Sequence, residues 1–187
     1  MKPILTLIIM FSLFGCNKAK SQEKKVAELP LFGEIRLNPT KDYETTTDLN
    51  NQKVRLDLNF DSDEIKDSGI LSGVKQILEN LAEFDKKAKK EIASDFSKNG
   101  TVFEYIEHHL SELNETQIAE LLKSSDKTLN DKQNLLAKIK LHRVGFYPEK
   151  ENGIAIFDYT IGKEFTDYLI VVEINENGEI VDIRTES

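Results

Sequence analysis

Cysteine is almost absent from this chain: Cys16 is the only one in 187 residues. A single thiol excludes an intrachain disulfide and any zinc site built on several cysteines. Long apolar runs are missing too, since no stretch after Cys16 reaches the roughly 18 residues of a membrane-spanning helix. Positive charge is in the minority, with 25 Lys and Arg against 33 Asp and Glu and a formal net charge of −8. Basic residues do not cluster within the folded part, which argues against a nucleic-acid partner. The familiar catalytic signatures are lacking as well. There is no Gly-x-Ser-x-Gly, no cysteine nucleophile in the folded part, no phosphate loop and no His-Glu-x-x-His. What is present, 39% hydrophobic and 31% charged residues, has the balance of a folded globular chain. The length suits one domain with an N-terminal appendage.

That appendage gives an address. Met1 to Cys16 carries one positive charge and then an apolar run of about a dozen residues, which suits a secretory h-region and is too short for a span. Its end, Leu13-Phe-Gly-Cys16, resembles the bacterial lipoprotein signal, with Phe14 standing where that signal usually has a small residue. The resemblance implies cleavage before Cys16, lipid attachment at its thiol, and retention at the cell envelope on one membrane. Residues 1–15 are then the signal, and residues 16–30 a lipidated, flexible tether containing Lys18, Lys20, Lys24 and Lys25. Lysines near an anionic headgroup surface contribute about 1 kcal/mol each.

Residues 31–187 read as a single α+β domain: an antiparallel sheet with a layer of amphipathic helices on one face. Leu31 to Leu37 and Lys53 to Phe60 are expected to pair, the second with Val54, Leu56, Leu58 and Phe60 inward. An EF-hand starting at Asp61 fails because Ile65 and Lys66 occupy positions that need oxygen and glycine. Ile70, Val74, Ile77, Leu81 and Phe84 form one stripe at helical period. Asp85 can cap a second helix ending at Asn99-Gly100, Thr101-Val-Phe-Glu104 is a capping box for a third, and Asn114 can open a fourth. A short helical piece near Asp131 to Ala137 follows. The terminal sheet runs from Leu141 to Thr185. Its alternation slips by one residue between Leu141 and Val144, which a β-bulge would produce and a strand starting at Leu141 would explain equally well. Ile154 to Ile161 is apolar on both faces, the mark of a central strand. Asn175-Glu-Asn-Gly178 makes a hairpin turn, and the last strand is an edge with Val181 and Ile183 on one face, blunted by Asp182 and Arg184.

Few residues invite chemistry. Asp158 shares a strand face with Ile154 and Ile156, so its carboxylate must be paired or its pKa rises. Tyr147, Tyr168, His142 or Arg143 could satisfy it. Asp158 with His142 is the catalytic candidate, as the acid/base pair of an envelope hydrolase. His108 lies between Glu104 and Glu112 on a polar helix face, where ordinary ion pairs are expected; His109 falls at the boundary of the apolar face. No metal and no cofactor are expected.

The segments Val54 to Phe60, Glu104 to Leu110, Arg143 to Pro148, Phe157 to Gly162, Thr166 to Leu169 and the terminal Glu186-Ser187 resemble those of a small bacterial domain family of unknown function. The resemblance implies one intact domain over residues 31–187, lipid-anchored or cytoplasmic, with no assigned activity. Some families of this general kind are immunity proteins against contact-dependent toxins. Tyr105, Asp158, Tyr159 and Asp167 fall in the shared pattern as fold-defining positions. Tyr105, Tyr147, Tyr159 and Asp167 are the binding candidates. The expected function is a lipid-anchored, non-enzymatic interaction module, immunity-like, with the membrane and a protein as partners. The alternatives are the envelope hydrolase and a structural envelope component.

Overall fold

The computed structural model of the protein describes residues 26–37 and 42–187. The expected signal and Cys16 lie outside the described residues, as does the tether up to Lys25. Two strands, β1 (Val26–Leu29) and β2 (Gly33–Arg36), form a small hairpin. β3 (Tyr43–Leu49) and β4 (Gln52–Leu58) form a second. A 3₁₀ turn at Ser68–Ile70 leads into the helices α1 (Leu71–Glu79), α2 (Leu81–Ser97), α3 (Thr101–Glu112), α4 (Glu115–Leu121) and α5 (Asp131–Lys138). The chain ends in the meander β5 (Lys140–Phe146), β6 (Ala155–Thr160), β7 (Leu169–Ile174) and β8 (Ile180–Glu186).

β3 to β8 make one six-stranded sheet in chain order, and the helices cover one face, so the fold is α+β. Every neighbouring pair is antiparallel except β4 and β5, which run parallel with Leu56 opposite Val144 and Leu58 opposite Phe146. A parallel pair needs a crossover, and here the whole helical layer is that crossover. The core lies between sheet and helices. Val54, Leu56, Leu58, Val144, Phe146, Phe157, Tyr159, Ile170, Val172 and Ile174 are fully buried there. Each large apolar side chain so buried contributes about 1.5–3 kcal/mol.

Several sequence expectations need correction. The partner of β4 is β3, while residues 33–36 pair with β1 instead. The domain boundary at Leu31 cuts this first hairpin, because Leu29 is 2% exposed and belongs to the core. The tether therefore ends before Val26. The single stripe from Ile70 to Phe84 is split by Asn80 into α1 and α2. Asp85 is no cap: it lies inside α2, 1% exposed, where the Tyr159 hydroxyl donates to it at 3.0 Å. Asn50 and Lys89 donate to its other oxygen, each at 2.9 Å. At the start of α3 the capping box does not form. Asp95, from the end of α2, accepts from the Val102 amide at 2.6 Å and does that work. Asn114 does open α4 with a reciprocal capping box to Gln117, and Asn130 with Gln133 does the same for α5.

The bulge read from the slipping period is present. Leu141 registers with Tyr159 and Arg143 with Asp158, so His142 is the extra residue. β8 is an edge strand, but a second bulge in its pairing with β7 separates the two apolar residues expected to share a face. Val181 is 47% exposed, while Ile183 packs on the core. Among the described residues no helix is long and apolar enough to cross a membrane.

Candidate functional site

The face of the sheet opposite the helices carries two rows of charge. Strand register places Thr46, Arg55, Arg143, Asp158, Val171 and Arg184 in one row across β3 to β8. The next row reads Glu44, Asp57, Gly145, Ile156, Glu173 and Asp182. Three arginines therefore lie beside four carboxylates one step along the strands. Period-2 alternation sends all of these side chains to one face. Ile156 and Val171 on this face are buried yet stand apart from the main core cluster.

Arg143 is the centre. Its Nε and Nη2 donate to the two oxygens of Asp57, both at 2.6 Å. Its Nη1 donates to Asp158 at 2.8 Å, and Nη2 also donates to the Tyr147 hydroxyl at 2.9 Å. Asn59 adds a bond to Asp57 at 2.8 Å, and Arg55 approaches the same carboxylate at 3.8 Å. Fork-like pairing of this kind is geometrically specific as well as strong. Side-chain exposure is 17% for Arg143, 7% for Asp57 and 6% for Asp158, so the charges are held away from water. Burial lowers the Arg143 pKa, but the bonds from Asp57, Asp158 and Tyr147 outweigh it and the net shift is upward. Burial also raises the Asp158 carboxyl above its ordinary range, opposed by the bond and charge of Arg143.

A second cluster closes the β8 edge. Arg184 donates to Glu173 at 2.7 Å, Asp182 at 2.9 Å and Glu186 at 2.7 Å. Arg184 is thus outnumbered by its carboxylates, whereas Arg143 and Arg55 balance Asp57 and Asp158. The outer acids, Glu44, Asp182 and Glu186, are exposed.

Of the residues named from sequence, Asp158 and Tyr147 meet here, through Arg143. His142 does not join them. It is half-buried in the bulge, and among the described residues no hydrogen bond links it to Asp158. Burial lowers its pKa, as do the charges of Lys163, Arg55 and Arg143. The acid/base pairing of Asp158 with His142 therefore lacks its hydrogen bond. Tyr159 points the other way, into the helical layer, where burial and Asp85 push its hydroxyl pKa up. Tyr105 is 3% exposed in α3, donates to the Tyr168 carbonyl at 3.3 Å and stacks on His109 with ring centres 4.2 Å apart. Asp167 is exposed in the β6–β7 connection. His108 sits at the surface, its ring 5.2 Å from that of Tyr168. Among the described residues no group of three or more His, Cys, Asp or Glu is placed to hold a metal ion.

Sequence reasoning overlooked Asp57 and Gly145 as members of this face and read Arg184 only as a charge that blunts the edge strand. Alternation alone places Asp57 outward, and that is where it points. Its burial follows from Arg143, 86 residues away in sequence, and no local pattern announces such a partner. Searches of family models, curated proteins and solved structures find no match to this chain.

Proposed function

We propose that the protein is a lipid-anchored binding module of the bacterial envelope, immunity-like in that it captures a protein partner. The uncovered sheet face is the docking surface, and the partner presents a basic patch to it. The observation that carries this reading is the acid row Glu44, Asp57, Glu173 and Asp182 laid across the sheet, with Arg184 outnumbered by Glu173, Asp182 and Glu186. A rigid face of fixed charges selects and orients a partner of opposite sign and speeds its encounter. The hydrogen bonds to Arg143 hold Asp57 and Asp158 in place, which suits recognition better than proton transfer.

The test uses a photo-crosslinking residue at Val181, exposed on the bulged edge beside the face. Cross-linking in the native envelope is compared between the wild-type chain and Glu44→Lys/Asp182→Lys. A basic protein adduct that is lost on charge reversal supports the reading. An adduct unchanged by reversal, or an acidic one, overturns it. Labelled palmitate tests the anchor: incorporation must vanish in Cys16→Ala, and persistence there would reject lipidation at Cys16.

A further inference from the structure

The end of the sheet where β5 begins holds a feature of opposite sign. A groove of about 570 Å³ is lined by Lys53 of β4, Lys138 at the end of α5, Lys140 at the start of β5, and Lys163 in the β6–β7 connection. His142 stands on the same wall, turned there by the bulge. Two acidic residues, Glu120 and Glu164, line the groove with the four lysines. None of the four lysines is in an ion pair with a described residue. Elsewhere lysines do find partners, as in Lys89 with Asp85 at 2.9 Å. Burial lowers the His142 pKa, and the charge of Lys163 adds to that shift. In a chain of net charge −8, this groove is a local inversion.

The walls are built, not loose. Gln52 donates to the Leu141 carbonyl at 2.9 Å and ties β4 to the bulge. Gly162 donates to the Thr160 hydroxyl at 3.1 Å, and the Phe165 amide donates to the Gly162 carbonyl at 3.0 Å. Leu121, Leu141, Ile161 and Phe165 give an apolar floor. The volume lies within the roughly 300–1,000 Å³ typical of small-molecule sites.

We propose that this groove binds a small phosphate-bearing anion. Four lysines around one groove, set against two glutamates, leave a net of about two positive charges, which calls for a multivalent anion, and lysine meets phosphate as a point charge. One carboxylate would offset only half of that charge. The groove also faces away from where the described chain begins. Arg36, paired with Val26, donates its amide to the Tyr43 hydroxyl at 2.8 Å, Tyr43 registers with Leu58, and Leu58 with Phe146. The first hairpin is therefore at the Phe146 end of β5, and the lysines are at the Lys140 end.

The probe is sodium tripolyphosphate, titrated calorimetrically at low ionic strength into the full chain in non-ionic detergent. Binding should be saturable at one site, and Lys53→Gln/Lys163→Gln should weaken it at least about tenfold. Lys86→Gln/Lys90→Gln removes the same charge from the exposed side of α2 and should leave the affinity within about twofold. Equal weakening by both double variants would show a general charge effect and overturn the site, as would a titration without saturation. Phosphatidylglycerol vesicles provide the second arm. Vesicle binding that depends on Lys53 and Lys163, without tripolyphosphate binding, would assign the groove to a lipid surface and reject the soluble ligand.

Discussion

The guanidinium of Arg143 lies over Gly145, two residues along the same strand: a Cβ at Gly145 would stand 2.5 Å from Nη2 and 2.9 Å from Cζ. The missing side chain is what lets one arginine lie flat and reach both Asp57 and Tyr147.

Gly145→Ala should therefore destabilise the fold by about 1–3 kcal/mol, the usual range for forced overpacking. Urea denaturation measures this. In an Arg143→Met background the same alanine should cost far less, and the double-mutant cycle gives the coupling directly. Additive effects would show that the guanidinium does not occupy this space.

Arg143→Met removes the counter-charge from Asp57 and Asp158 and should cost about 3–5 kcal/mol near neutral pH. The deficit should shrink in acid. Burial raises the Asp158 carboxyl and Arg143 opposes that rise, so without Arg143 the folded state takes up its proton more readily as pH falls. Denaturation curves across the acid range check this, and a deficit independent of pH would contradict it.

His109 is 3% exposed in α3. Its Nδ1–H donates to the Tyr105 carbonyl at 2.7 Å, and the Thr166 hydroxyl donates to Nε2 at 2.8 Å. Burial lowers its pKa, with His108 adding to the shift and the Tyr105 carbonyl opposing it. A depressed folded pKa leaves full stability above the ordinary value of 6.5. That stability declines as pH drops from there through the lower folded value, because the unfolded chain binds the proton first. Subtracting the pH dependence of His109→Gln from that of wild type isolates the slope. Its absence would place a charged imidazole in the core.

Leu29 anchors the first hairpin in the core. Leu29→Ala should cost about 2–5 kcal/mol. A chain starting at Phe32 should melt well below one starting at Val26. Equal melting temperatures would return residues 26–30 to the tether.

The sequence made the helical layer and the meander visible because both rest on local periods. The slip at Leu141 located the bulge, and Asn114 located the start of α4. β3 escaped because an edge strand needs little apolar alternation: Glu44, Thr46 and Asp48 are exposed, and only the alternate residues are half-buried. The turn that closes it, Asn50-Asn51 with φ of 51° and 62°, is the signal that would have found it. The charged face was half legible. Asp158 announced a need for a partner and Arg143 was among those offered, but Asp57 comes from across the helical crossover, where periodicity carries no information.

That crossover also sets an order of assembly. The β3–β4 hairpin and the meander from β5 onward close through neighbours in sequence, whereas the β4–β5 seam joins residues 86 apart in the Asp57–Arg143 pair. Contacts of such separation bear a loop-closure cost before they yield any stabilisation, and topologies rich in them fold slowly. The seam should be the late event, with hairpin and meander preformed and then zipped together along Asp57, Arg143 and the parallel backbone ladder. Substitutions at the seam would then slow folding, which stopped-flow kinetics on Asp57→Asn can read. During synthesis the same geometry keeps the β4 edge open until the ribosome has released residues beyond Phe146.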